Sequence, residues 1–223
     1  MRNTTKQLIL FVLITLSTEA FTQNPGVKAG LNLSTIHYKN GNSNIKLNPG
    51  FHVGVTAELP IDDIFTFNPE LLLTSKGHIY DPKEEDVGGG QTIDLMEKDN
   101  LYYLEIPLIA KTTFKIGKNK IYFNLGPYLS IGLFGNIVNE SKSSIEFANS
   151  SSKTKITWGG ENYSSYNRLD YGITFGGGFE IKDFRIGLSY DLGLAQTIPN
   201  TINDTKITNR VIGISVGYKF YSK

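Results

Sequence analysis

The sequence predicts an all-β fold, an eight-stranded antiparallel up-and-down barrel. Three observations predict it. Eight segments alternate between large apolar and small or polar residues. The connections between them alternate between short and long. All the strand charges that can be placed fall on one face of the alternation.

Alternation with a period of two is the mark of a strand with two unlike faces. In "FRIGLSYDLGLA", Phe184, Ile186, Leu188, Tyr190, Leu192 and Leu194 fall on one face, and Arg185, Gly187, Ser189, Asp191 and Gly193 on the other. Similar segments occupy 26–36, 50–60, 64–78, 101–115, 120–134, 169–181, 184–195 and 208–220. Each has about 10 to 15 residues, longer than most strands of soluble proteins and long enough to cross a bilayer when tilted.

Three connections are tight: 61–63, 116–120 and 181–183. Four are long: 37–49, 79–100, 135–168 and 196–207. Short and long alternate throughout, so one end of the barrel carries turns and the other carries loops. That asymmetry is typical of transmembrane β-barrels, with turns in the periplasm and loops outside. Within 135–168, which is rich in Ser and Asn, the pieces "SIEF" and "TKITW" are expected to pair as a hairpin above the membrane, with a disordered linker as the alternative. The acidic stretch 79–100 contains Asp81, Glu84, Glu85, Asp86, Asp94, Glu97 and Asp99. It lacks the spacing of an EF-hand loop and is expected to be solvated.

The polar face carries Lys28, Glu58, Glu70, Glu105, Lys111, Glu180, Arg185, Asp191 and Lys219. A Lys or Arg at the bilayer midplane costs about 2–4 kcal/mol, so in a membrane these charges face a common lumen. A soluble lipocalin-like barrel around an apolar ligand would reverse the two faces. Residue size favours the membrane. Gly, Ser, Asn and Thr dominate the polar face and suit a narrow interior. Leu, Ile, Phe and Tyr dominate the other and suit a divergent outer wall. Aromatics gather near strand ends as two interfacial girdles: Phe51, Phe65, Phe114, Tyr122, Phe123, Tyr171, Phe184, Tyr190, Tyr218 and Phe220.

The 223-residue chain has net charge +1 and no cysteine. The charge gives no electrostatic case for nucleic acid. The missing thiol removes disulfides, thiol catalysis, zinc–thiolate sites and a lipidated N-terminal cysteine. Arg2 and Lys6 followed by "LILFVLITL" and "STEAFTQ" read as a signal peptide over 1–22, leaving 23–223 as the barrel domain.

The phrases "GVKAGLNLS" (26–34), "PGFHVGV" (49–55), "YLEIPL" (103–108), "GPYLS" (126–130) and "YGITFGGGFE" (171–180) carry a family likeness. In their order and strand placement the chain resembles the PorT-like outer-membrane β-barrels of the Bacteroidetes, whose architecture is similar to OmpX and the OmpA membrane domain. The resemblance covers 26–220. It implies residence in a Gram-negative outer membrane, contact with outer-membrane lipid, and insertion by the barrel-assembly machinery through a C-terminal strand such as "VIGISVGYKF". The family's founding member is tied to type IX secretion, and no residue pattern here points to that process.

No cofactor or metal site is read from the sequence. Some eight-stranded outer-membrane barrels modify lipid A with His plus Ser or a carboxylate. His37, His52 and His78 fall near the loop end. His52 faces inward, where Ser34 or an acid would approach, but no spacing motif supports a triad. "GGG" at 88–90 and 176–178 lacks a phosphate-loop context. The leading expectation is a non-enzymatic outer-membrane barrel, structural, adhesive or accessory to a secretion or uptake assembly, that meets a protein partner through its loops. The alternatives are the soluble barrel and the lipid A enzyme.

Overall fold

The structure, a computed structural model, describes residues 24–38, 44–82, 85–88, 91–143, 149–159, 165–199 and 206–220. The expected signal peptide and the "SIEF" arm lie outside them. Eight long strands follow one another: β1 Asn24–Tyr38, β2 Asn48–Pro60, β3 Phe65–Lys76, β4 Gln91–Ile116, β5 Asn119–Ser143, β6 Leu169–Ile181, β7 Phe184–Gly193 and β8 Ile207–Lys219. Each pairs antiparallel with the next, and β1 pairs with β8, for example Leu31 opposite Ile214, to close the ring. Closure matters because lipid offers no hydrogen bond to an open strand edge.

The short connections follow from local chemistry. The Asp62 carboxylate accepts hydrogen bonds from the backbone N–H of Ile64 (2.8 Å) and Phe65 (2.7 Å), which reverses the chain between β2 and β3. Gly117 turns β4 into β5 at φ 61°, and Lys182 turns β6 into β7 at φ 54°.

The alternation in sequence becomes alternation in burial. Along β6, Tyr171, Ile173, Phe175 and Phe179 face outward while Asp170, Gly172, Thr174 and Glu180 are enclosed. The apolar face is therefore the exposed one, and the reversed, lipocalin-like arrangement is overturned. The converging interior needs small residues. A Cβ at Gly178 or Gly187 would fall 2.8 or 2.2 Å from the Tyr122 hydroxyl. Tyr122 thus sits inside the barrel, 5% exposed, in the space those glycines leave. Its expected place in an interfacial girdle is corrected: the outward aromatic at this end of β5 is its neighbour Phe123.

Two strands run far past the rest. β4 has 26 residues and β5 has 25, against about 10 needed to cross a bilayer. Much of what the sequence presents as loops 79–100 and 135–168 is therefore continued ladder. The upper hairpin differs from the expected one. Its arms are Asn136–Ser141 of β5 and the strand Ser150–Lys155, paired from Asn136 opposite Lys155 to Ser141 opposite Ser150. Thr157 and Trp158 of "TKITW" pair with Ser165 and Tyr166. Extending a ladder already begun avoids nucleating a separate hairpin within the loop.

Candidate functional site

Near the turn end, Glu58 of β2 is the hub of an ion-pair cluster. Lys111 of β4 contacts it directly. Arg185 of β7 reaches it at 2.9 Å and Lys219 of β8 at 3.0 Å. Lys111 also pairs with Glu180 at 2.7 Å. Arg185 donates further hydrogen bonds to Thr56 Oγ1 (3.1 Å) and Asn68 Oδ1 (3.3 Å). Lys28 pairs with Glu70 at 2.8 Å, and Asn68 donates to the same carboxylate at 3.0 Å. Side chains of β1, β2, β3, β4, β6, β7 and β8 thus converge across the lumen.

A second cluster lies nearer the loops. Lys76 of β3 is fully enclosed, 2.7 Å from Glu105 and 2.8 Å from Asp170. Its ammonium lies 4.3 Å from the Tyr128 ring centre and 5.3 Å from that of Tyr103, within cation–π range. Ser130 donates to Glu105 at 2.7 Å and Asn209 to Asp170 at 3.1 Å. Lys76 and Asp170 are absent from the charges singled out in the sequence. Parity reveals both: Lys76 follows the inward Thr74 by two, and Asp170 precedes the inward Thr174 by four.

The structure brings Lys28, Glu58, Glu70, Glu105, Lys111, Glu180, Arg185 and Lys219 into ion pairs. Asp191 instead lines a cavity of about 30 Å³ with Lys28, His52, Glu70 and Glu105. A second cavity, of about 20 Å³, lies beside Arg185, Tyr122 and the Lys28–Glu70 pair. Each has room for about one or two waters.

The histidines are not brought together. His37 is exposed on β1. His52 has Nδ1 2.7 Å from Asn32 Oδ1. The Asn32 amide nitrogen lies within 3.1 Å of three acceptors, Phe51 O, Thr74 Oγ1 and Ser75 O, so its oxygen faces His52 and Nδ1 carries the proton. Ser34, the companion expected for His52, donates to Asn48 O at 3.1 Å instead. Among the described residues no three His, Asp or Glu side chains are grouped to hold a metal ion.

The expected girdle residues Phe51, Phe65, Phe114, Tyr171, Phe184 and Phe220 are exposed, and Tyr190 and Tyr218 are half-buried. Ring contacts join several of them. Near the turns, Phe184 lies 5.1 Å from Tyr218, Tyr218 lies 5.2 Å from Phe220, and Phe114 lies 6.4 Å from Phe123. Toward the loops, Tyr102 stacks on Phe134 at 4.7 Å and lies 6.1 Å from Phe51. Tyr190 packs on Phe175 at 5.4 Å.

Beyond Tyr102 and Phe134 the barrel carries an ordered cap. Leu101, Tyr103, Ile137 and Tyr166 form a buried core, with Ile156, Trp158 and Ile198 packed against it. Trp158 meets Tyr103 edge-on at 5.5 Å. Segments from the connections join in: Ile45–Lys46 pairs with Ile79–Tyr80, and Ile79–Tyr80 pairs with Lys98 and Glu97 of β4.

Asp99 lies in this cap and is 1% exposed, which corrects the expectation of a wholly solvated acidic loop. The Tyr166 hydroxyl donates to its carboxylate. Asn48 Nδ2 holds its carbonyl at 2.6 Å, its N–H donates to His78 O at 2.9 Å, and His78 Nδ1 lies 3.5 Å from its Oδ2. The long-range pairing of β4 with the other segments buries it, and the local sequence carries no signal of that.

Burial raises the Asp99 carboxyl to about 7, and burial lowers His78 to about 4. Asp99 has a folded value above its unfolded one. Its contribution therefore favours the cap at acid pH and is lost as pH rises toward about 7. His78 acts with the opposite sign between about 4 and 6.5. The two oppose each other in acid, and Asp99 acts alone near neutrality. Trp158 is the only tryptophan, so its emission reports the cap. The expected result is a transition near pH 7 that Asp99→Asn abolishes. An unchanged transition in that variant would show that Asp99 is not its source.

Comparison with solved structures finds outer-membrane barrels. Ail of Yersinia pestis, solved with the heparin analogue sucrose octasulfate, is 15% identical, with 89% of this chain and 99% of that chain covered at a TM-score of 0.41. OprG of Pseudomonas aeruginosa is 12% identical, with 90% and 97% covered at 0.42. Neisserial surface protein A is 14% identical, with 88% and 97% covered at 0.37. No curated protein matches the chain. Residues 22–199 match a family described as the outer membrane protein beta-barrel domain. With its closed eight-stranded ring and outward apolar wall, the chain belongs to that family and resides in the outer membrane.

Proposed function

We propose that the protein is a non-enzymatic outer-membrane barrel that presents its cap to a macromolecular partner outside the cell. One observation carries the reading. β4 and β5 rise well past the aromatic rings at Tyr102 and Phe134, and the cap they support has its own buried core. A surface ordered before binding loses less conformational entropy when a partner docks, and binding residues are concentrated on loops held by a rigid scaffold. The lumen supports an anchoring role: ion pairs cross it and its cavities are only large enough for a few waters. The scattered histidines give no support to lipid A chemistry.

Residues 1–22 act as a cleaved signal peptide in this reading, the barrel-assembly machinery inserts the chain, and the two aromatic bands sit at the membrane interfaces. Adhesion fits the cap best. Accessory work in secretion, including the type IX process of the PorT-like barrels, would use the same surface.

The test replaces 139–152 with a two-residue Asn-Gly turn. The barrel is expected to keep its boiling-dependent shift on SDS gels. Cells displaying it are expected to lose attachment to protein- or glycan-coated surfaces relative to cells with the intact chain. Equal attachment by both would sink the reading.

A further inference from the structure

The outward face of β6 has a gap. Phe175, Gly177 and Phe179 share that face, and Gly177 lies opposite Phe123 of β5 and Leu188 of β7. Both neighbours project while Gly177 does not. The gap lies within an open apolar groove walled by Phe123, Leu125, Phe175, Phe179, Ile186 and Leu188. A Cβ at Gly177 would lie 2.7 Å from Tyr122 O and 3.3 Å from the Phe123 ring. The gap is therefore built into a tightly paired strand.

The barrel end beneath the groove is basic. Lys118 lies in the β4–β5 turn and Lys182 in the β6–β7 turn, both exposed. Lys115 and Lys120 face each other across the β4–β5 ladder at the same end. Among the described residues, none of these four lysines forms an ion pair with an acidic side chain. Asp183 is the one acid in these two turns, whereas the β2–β3 turn carries Asp62 and Asp63. The positive charge is thus concentrated on the side of the ring that holds the groove.

We propose that the groove and its basic rim form a binding site for one anionic phospholipid of the periplasmic leaflet. An acyl chain fills the gap over Gly177, and the phosphate meets Lys118 and Lys182. Five residues of tilted strand separate Gly177 from Lys182, about 12 Å along the membrane normal, so chain and headgroup fit within one leaflet. A second copy of the protein is the poorer occupant. A two-fold contact through this wall would bring two lysine rims together.

The test is native mass spectrometry of the detergent-purified protein with equimolar phosphatidylglycerol and phosphatidylethanolamine. The expected result is one retained phosphatidylglycerol in preference to phosphatidylethanolamine. The double variant Lys118→Gln, Lys182→Asn is expected to lose that preference by about tenfold or more. Both changes lie in turns, and Asn tolerates the positive φ at 182, so the boiling shift should survive and certify the fold. Gly177→Leu projects a side chain into the gap where the acyl chain would lie and, where it folds, is expected to lose retention of both lipids. Equal retention of the two lipids by the native chain would overturn the proposal. So would an undiminished preference in the double variant, or a dimer in place of the lipid adduct.

Discussion

Glu58→Gln is expected to destabilise the barrel by about 3–5 kcal/mol, the usual cost of removing one partner from a buried ion pair. Lys111, Arg185 and Lys219 all contact this carboxylate. The amide keeps the shape and can still accept a hydrogen bond, but it removes the negative charge on which three cations converge. Glu180 remains to pair with Lys111, whereas Arg185 and Lys219 lose the charge they meet in the native cluster. Solvent relieves little of this, because the cluster is enclosed and salt screens buried pairs weakly. The measurement is the urea midpoint for loss of the compact, unboiled band in lipid vesicles. Glu140→Gln, on the upper hairpin, serves as the control and should stay within about 0.5 kcal/mol of the native chain. A Glu58 variant as mild as that control would mean that water, rather than protein charge, surrounds this part of the lumen.

Val55→Arg is expected to cost about 2–4 kcal/mol in the same assay, the penalty for a cation on the lipid face near the bilayer midplane. Val55 is exposed on the outer wall of β2, flanked by Val27 of β1 and Leu71 of β3. In water the same substitution would place a charge on an exposed sheet face at little cost, so the sign and size of the effect report which solvent the wall meets. Val55→Leu keeps the wall apolar and should change little. An Arg variant with native stability in vesicles would contradict the outward-apolar arrangement.

Most of the barrel was legible because its signal repeats. Every strand alternates, and each charge on the wrong face would be expensive, so the inward parity of Lys28, Glu58, Lys111 and Arg185 could be read one strand at a time. Tyr122 was misplaced because an aromatic near a strand end looks interfacial until the glycines at 178 and 187 are seen to make room for it inside. Lys76 lies at the end of β3, where Ser75 is buried as well as Thr74; parity with Thr74 places Lys76 inside, and its contacts with Glu105 and Asp170 show what it pairs with.

Strand number, the order of turns and loops, and the wall that meets lipid can all be read from the linear chain. Those properties rest on local periodicity and on the transfer cost of single side chains. The folded barrel was needed to show that Glu58 is shared by three cations, that Asp99 is buried beside Tyr166, that β4 and β5 continue into an outer cap, and that Gly177 leaves a gap in the outer wall above a basic rim. Each of these depends on cross-strand register and on contacts between residues far apart in the chain. Such contacts form only when the ring closes, and no short stretch of sequence encodes them alone.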